Sequence, residues 1–232
     1  MSLQGREVVL AGGSGGIGAA VTDLLLAEGV QAIVSYRANR ERAERWKDRA
    51  VVLQADLSSP EDRARLLDAA PCMYGLVVLA GDPARGEAGA ERSYEANYLG
   101  PIMLARESAN RMKKSGTAGA IVLLSTMQAN ALFAGSTIYA AQKAALQHAA
   151  RILAKECRGA LNIRVNVVSP GVTAAGMAEV SIASGKYDRY IQEGVIPRFG
   201  RAEDVARAVR FFLEPDNYVT GQVLCVDGGM TL

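Results

Sequence analysis

In Tyr139-Ala140-Ala141-Gln142-Lys143 a tyrosine and a lysine stand four residues apart. That spacing puts two side chains on one face of a helix. A phenol ordinarily titrates near ~10 and is a poor acid-base group at neutral pH. A neighbouring cation favours its ionised form. Lys143, plus an oxidised nicotinamide ring, would supply that cation, and Tyr139 could then exchange a proton with an alcohol or carbonyl oxygen. A packing tyrosine and an exposed lysine on one helix would show the same spacing. Ser125 ends an apolar run, where a hydroxyl would face a ligand crevice and could hydrogen-bond a carbonyl oxygen. Asn97, in Glu95-Ala96-Asn97-Tyr98-Leu99-Gly100, is a poor helix former inside a helical stretch. Its plain alternative is a solvent-facing asparagine.

A second chemical feature is the placement of glycine. The chain has 24 Gly against 7 Pro. Five of them fall within Gly12-Gly13-Ser14-Gly15-Gly16-Ile17-Gly18, between an apolar run and an amphipathic one. Gly12 would permit a tight turn. Gly16 would let backbone N–H groups approach a pyrophosphate at a helix N-terminus, and Gly18 would let the helix pack close to a sheet. A glycine turn with no ligand is the alternative. Further on, Ser35-Tyr36-Arg37-Ala38-Asn39-Arg40 has no acid before Glu41. An acid there would suit a ribose 2′-OH, whereas arginine suits a 2′-phosphate. Arg37 therefore points to NADP(H) as the preferred cofactor, with NAD(H) possible. A solvated loop charge is the other reading of Arg37.

These residues need a scaffold, and the hydrophobic pattern supplies one. Strands are predicted at Glu7–Ala11, Gln31–Tyr36, Ala50–Ala55, Gly75–Ala80, Gly119–Ser125, Ile163–Ser169 and Gln222–Val226. Helices are predicted at Ile17–Glu28, Arg40–Lys47, Ser59 to Ala69, Ser93–Lys114, Thr137–Arg158 and Ala202–Leu213. Asp82–Ala90 reads as a loop. Strands apolar on both faces, alternating with helices, imply an α/β, Rossmann-type, doubly wound, seven-stranded parallel sheet with helices on both faces. Residues 1–232 read as a single dinucleotide-binding and catalytic domain, with 170–200 as a substrate lid.

Composition narrows the function. With 26 Lys+Arg against 24 Asp+Glu, the formal charge of +2 gives no general attraction to nucleic acid or anionic membranes. No apolar run approaches the ~20 residues of a membrane span. No secretory signal opens the chain, so a cytoplasmic protein is expected. Cys72, Cys157 and Cys225 are too few and too scattered for a disulfide framework or a zinc site, and read as small buried hydrophobes.

Taken together, Gly12-x-x-x-Gly16-x-Gly18 and Asn97, Ser125, Tyr139 and Lys143 resemble the short-chain dehydrogenase/reductase family in identity, order and approximate spacing. The resemblance covers nearly the whole chain. Asn166-Val167-Val168-Ser169-Pro170-Gly171-Val172, Pro197-Arg198-Phe199-Gly200-Arg201 and Val226-Asp227-Gly228-Gly229 look most like the 3-oxoacyl-[acyl-carrier-protein] reductases. The resemblance implies that Asn97, Ser125, Tyr139 and Lys143 are catalytic, with Asn97 holding a water. It further implies a cofactor site of Gly12, Ser14, Gly15, Gly16, Ile17, Gly18, Tyr36, Arg37, Asp56, Leu57, Ala80, Gly81, Tyr139, Lys143, Pro170, Gly171, Val172 and Thr173.

Two departures stand out. The family's Asn-Asn-Ala-Gly is Val78-Leu79-Ala80-Gly81 here, and a customary threonine falls at Ala175, for which Thr173 could substitute. The implied reaction is reduction of a carbonyl, foremost of a 3-oxoacyl thioester on acyl carrier protein or CoA, as in fatty acid biosynthesis. The alternatives are a dehydrogenase of a free secondary alcohol, sugar or steroid, and a catalytically silent nucleotide-binding regulator. Arg106, Arg111, Lys113 and Lys114 could dock an acidic carrier. Relatives imply a homotetramer or homodimer built on the two long helices.

Overall fold

The computed structural model describes residues 2–83 and 89–232. Residues 84–88, within the expected loop Asp82–Ala90, lie outside the described residues. Seven strands form one parallel sheet: β1 (Glu7–Ala11), β2 (Gln31–Tyr36), β3 (Val51–Gln54), β4 (Met73–Val78), β5 (Gly119–Leu124), β6 (Ile163–Pro170) and β7 (Val223–Val226). Their order is β3-β2-β1-β4-β5-β6-β7. The doubly wound α/β sheet expected from the sequence is therefore present. Its direction of winding reverses between β1 and β4, and in open sheets ligands bind beyond the strand ends at that reversal.

The strands alternate their side chains between two core layers, as a pleat requires. Val9, Ala11, Leu76, Ile121, Leu123 and Val165 face one layer. Val8, Leu10, Val77, Ala120, Val122 and Val168 face the other. The first layer is closed by α3 (Pro60–Asp68), α5 (Gly100–Ser115) and α6 (Thr137–Glu156). The second is closed by α1 (Gly16–Ala27) and α9 (Ala202–Leu213). Buried aliphatics of this kind contribute ~1.5–3 kcal/mol each relative to exposure, which fixes the sheet as the platform for the loops at its carboxyl edge.

Several boundaries differ from expectation. The helix expected over Ser93–Lys114 is present as one continuous helical stretch, α4 (Ala90–Tyr94), a π-turn over Glu95–Leu99, then α5. Pro101 accounts for the π-turn, because it has no N–H to give the ladder. The π-turn widens the backbone just ahead of it. The helix expected over Arg40–Lys47 is only α2 (Arg40–Glu44), since Trp46 turns inward and its indole N–H donates to Asp23. The segment 170–200 contains α7 (Glu179–Ala183) and α8 (Asp188–Gln192). Of the cysteines, only Cys157 is buried; Cys72 and Cys225 are exposed. No described helix is long and apolar enough to cross a membrane.

Candidate active site

One cleft of about 1270 Å³ runs along the carboxyl edge of the sheet. It gathers residues far apart in the chain: Gly12, Ser14, Gly15, Gly16, Ile17 and Gly18 after β1, Tyr36 and Arg37 after β2, and Asp56 and Leu57 after β3. Ala80 and Gly81 after β4, Ser125 after β5, Tyr139 on α6, and Pro170, Gly171, Val172 and Thr173 after β6 complete the wall. Asn97 and Lys143 are not on that wall; both are buried directly behind it.

The glycine turn has the form of an anion cradle. Gly12 sits at φ +82°, and a Cβ there would lie 2.7 Å from the Ala80 nitrogen. Only glycine tolerates both conditions. Gly18 packs on the Gly12 carbonyl, within the turn itself, rather than chiefly on the sheet. Helix α1 has no side-chain cap and no acid in its first turn. Its N-terminal amides, with the positive end of the helix dipole, therefore suit a phosphate. Gly16 differs from expectation: a Cβ there would meet the backbone of Gly176 at 2.4 Å. Its smallness admits the segment after β6 rather than only a ligand.

At the adenine end, Asp56 is tied to its own turn, accepting from the Ser58 N–H (3.0 Å) and hydroxyl (2.8 Å). Burial works to raise its pKa, but those bonds and the Arg37 charge outweigh it and leave it low. Arg42, which sequence reasoning missed, lines the same end of the cleft from α2. Val78 closes β4 in the core, and Leu79 packs against the second core layer. The apolar pair thus has a packing role where the family carries asparagines. Thr173 lines the cleft, largely buried, and its hydroxyl donates to the Gly171 carbonyl at 3.2 Å.

Asn97 is buried, not solvent-facing. Its Oδ1 accepts from the Asp82 N–H (2.9 Å), and its Nδ2 donates to the Asp82 carbonyl (2.8 Å) and to Gln142 Oε1 (2.9 Å). Gln142 then donates to Ser93 Oγ at 2.9 Å. This amide orientation gives every donor an acceptor, and it ties α6 to α4 and to the end of β4. Gln142 is a second site-forming residue that sequence reasoning missed. Lys143 Nζ donates to the Leu124 carbonyl at 2.9 Å. Both Asn97 Oδ1 and Lys143 Nζ lie beside Gly81, within 3.4 and 3.8 Å of where its Cβ would be.

Two electrostatic expectations change. Burial pushes the Tyr139 phenol up to about 12, partly opposed by a hydrogen bond to the Thr126 side chain. Burial lowers the Lys143 ammonium to about 8. Burial sets the direction for Tyr139, and the Lys143 ammonium is turned to the Leu124 carbonyl. At neutral pH Tyr139 is a protonated acid and Lys143 a cation.

Ser125 lines the cleft as expected, with its hydroxyl turned to α6. Its hydroxyl donates to the Lys143 carbonyl (3.2 Å) and accepts from Gln147 Nε2 (3.0 Å). A hydroxyl has one proton, and here it is already committed to α6. The pleat explains the orientation: Ile121 and Leu123 face the α6 layer, and Ser125 continues that phase.

A glycine turn at a helix N-terminus, opening at a sheet reversal beside a half-buried tyrosine and a buried lysine, is the site of a dinucleotide-dependent oxidoreductase. The comparisons with known proteins agree. A family model described as Enoyl-(Acyl carrier protein) reductase matches residues 11–231. An Arabidopsis thaliana NADPH-dependent aldehyde reductase 2, chloroplastic, is 30% identical over 100% of this chain and 96% of its own. A Mycobacterium ulcerans short-chain type dehydrogenase/reductase superposes with TM-score 0.90 at 26% identity, covering 100% of this chain and 91% of that one. A 7α-hydroxysteroid dehydrogenase complexed with NADH and 7-oxo glycochenodeoxycholic acid gives TM-score 0.89 at 28% identity, covering 98% and 95%. The chain belongs to the short-chain dehydrogenase/reductase family and is an NAD(P)-dependent oxidoreductase acting on a carbonyl or CH–OH group.

Proposed function

We propose that the protein is an NADP(H)-dependent reductase of a carbonyl carried on an apolar body. The observation that carries this reading is Tyr139, protonated and desolvated, on the wall of the cleft that the glycine turn also lines. An acid with a pKa far above neutral suits proton donation, hence reduction. A nicotinamide cofactor bound over the glycine turn supplies the hydride. Gly12 to Gly18 would hold its pyrophosphate, Asp56 and Leu57 its adenine, and Pro170 to Thr173 its amide end. Arg37 and Arg42, both exposed and both on the cleft wall, would receive a 2′-phosphate. The Arabidopsis relative is named NADPH-dependent, whereas the hydroxysteroid dehydrogenase structure carries NADH.

On the substrate side, Tyr139 Oη would give its proton to the oxygen as charge collects there. Lys143 would keep that proton relay positively charged, and Asn97 would hold the end of β4 against α6. Met127, Phe133, Met177, Tyr187 and Tyr190 supply an apolar wall, with segment 170–200 as its lid. A free ketone or aldehyde on an apolar skeleton fits this wall. A 3-oxoacyl thioester is the second reading, supported by the motifs after β6. For a carrier protein, Arg111 and Lys113 are less suited than expected: Arg111 pairs with Asp68, and Lys113 donates to the Glu156 carbonyl. Oligomers would form through the outer faces of α5 and α6, where Arg106, His148 and Ile152 are exposed. The test is NADPH and NADH consumption with a medium-chain aldehyde, a 7-oxo steroid and acetoacetyl-CoA. Turnover with NADPH on the free carbonyls supports the reading; turnover on none overturns it.

A further inference from the structure

Two cations, Lys186 and Arg189, line the cleft from the segment around α8, and both are exposed. Among the described residues neither forms an ion pair. Each stands over the ring of the tyrosine that follows it. Lys186 Nζ lies 5.5 Å from the Tyr187 centroid, and the Arg189 guanidinium carbon 4.8 Å from that of Tyr190. The negative face of an aromatic ring attracts a cation held there. Both rings are half-buried and pack against the cluster of Met127, Val172, Ile196 and Met230. The Ile196 N–H also donates to the Tyr190 carbonyl at 3.1 Å. The rings are therefore fixed, and they hold the two charges at the cleft. Arg189 gives one N–H to the Tyr190 hydroxyl at 3.0 Å. A guanidinium has five such donors in a planar fork, so most of the fork is left for a ligand.

We propose that Lys186 and Arg189 are specificity-determining residues that bind an anionic group, a carboxylate or a phosphate, at the end of the substrate remote from its carbonyl. The inference rests on the carbonyl-reductase reading of this site and narrows its substrates to amphipathic anions. One wall offers each part such a molecule needs: the Tyr139 proton, the apolar side chains of Met127 and Phe133 with the two tyrosine rings, and the paired cations. A guanidinium fork matches two oxygens of one carboxylate or phosphate, and the lysine adds a point charge. The other cations on the cleft wall, Arg37 and Arg42, stand at the adenine end. Of the acids in segment 170–200, Asp188 and Glu193 are not on the wall, and Glu179 is. Glu179 Oε1 accepts from the Gly176 N–H at 3.0 Å, and Gly176 meets Gly16. That carboxylate is thus engaged at the glycine-turn end of the segment.

The test compares aldehydes of one medium chain length that end in a methyl, a carboxylate or a phosphate, each with NADPH. Wild type should reduce at least one anionic aldehyde with kcat/KM about 10–100-fold above the methyl-ended one, the worth of a charge-assisted hydrogen bond. The better of the two anions identifies the group. In the double variant Lys186→Gln with Arg189→Gln the preference should vanish, through KM rather than kcat. The exchange Lys186→Arg with Arg189→Lys keeps both charges and should keep most of the preference. Added salt should shrink it in wild type. Equal use of all three aldehydes by wild type, or a preference that survives the double variant, overturns the assignment. Calorimetric titration with a fatty acid, an alkyl phosphate and an alcohol of that chain length needs no turnover. At least one anion should bind about ten-fold more tightly than the alcohol to wild type, and neither should to the double variant. Equal binding of all three to wild type overturns the assignment. Tighter binding of an anion, lost in the double variant, with no carbonyl reduced would uphold the anion site and reject the functional reading.

Discussion

Lys143 is a buried cation, and its cost should be measurable. Its ammonium falls from the ordinary 10.5 to about 8 because burial penalises the charged form. Below about pH 8 both the folded and the unfolded chain hold this proton, and the folded state bears the whole penalty. Between about pH 8 and 10.5 the unfolded chain binds more of it, so this group makes stability rise with pH. Above 10.5 neither state is charged there, and the penalty is gone. At about 1.4 kcal/mol per pKa unit, the full change is about 3 kcal/mol. Lys143→Met keeps an unbranched chain of similar length and deletes the titration. Urea unfolding of both proteins at pH 7, 8, 9 and 10 isolates the effect, because the other ionisable groups are common to both. The variant's stability relative to wild type should be greatest at pH 7 and should shrink by most of that amount by pH 10. A difference that stays flat across this range, or grows with pH, would refute the reasoning.

The other predictions concern the walls of the site. Gly12→Ala meets both a left-handed φ and the Ala80 backbone. It should lose at least about 1–3 kcal/mol, read from the urea midpoint. Gln142→Ala leaves the Asn97 amide and Ser93 short of a buried partner and should cost about 1–3 kcal/mol. Arg37→Ala should weaken NADPH binding about 10–100-fold, the worth of a charge-assisted hydrogen bond. NADH binding should hardly change, as followed by cofactor fluorescence titration.

The sheet was legible because apolar strands bounded by turn residues are a local signal. β1, β2 and α9 begin and end where the pattern of Glu7–Ala11, Gln31–Tyr36 and Ala202–Leu213 says they should. Most residues expected to border a cofactor line one cleft for the same reason: apart from Tyr139 on α6 they follow strands whose ends lie on one edge, whereas Lys143 is buried behind that wall. What escaped is non-local or a matter of phase. The turn of the Ser125 hydroxyl toward α6 needs the pleat phase of β5, which depends on which layer Ile121 and Leu123 enter. The role of Gln142 needs Asn97 to be buried, and that follows from the π-turn before Pro101. The contact of Gly16 with Gly176 joins two distant segments of the chain with no periodic signal between them. The shift of Tyr139 escaped because it comes from burial, which the four-residue spacing does not show; nor does that spacing aim the Lys143 ammonium, which the Leu124 carbonyl captures.

The central claim is that Tyr139 supplies the proton for carbonyl reduction. The most direct test compares wild type with Tyr139→Phe, measuring NADPH consumption on the best carbonyl of the panel and NADPH affinity by fluorescence. Turnover should be lost while NADPH affinity stays close to wild type. A phenylalanine variant that still reduces the carbonyl at the wild-type rate would contradict the account.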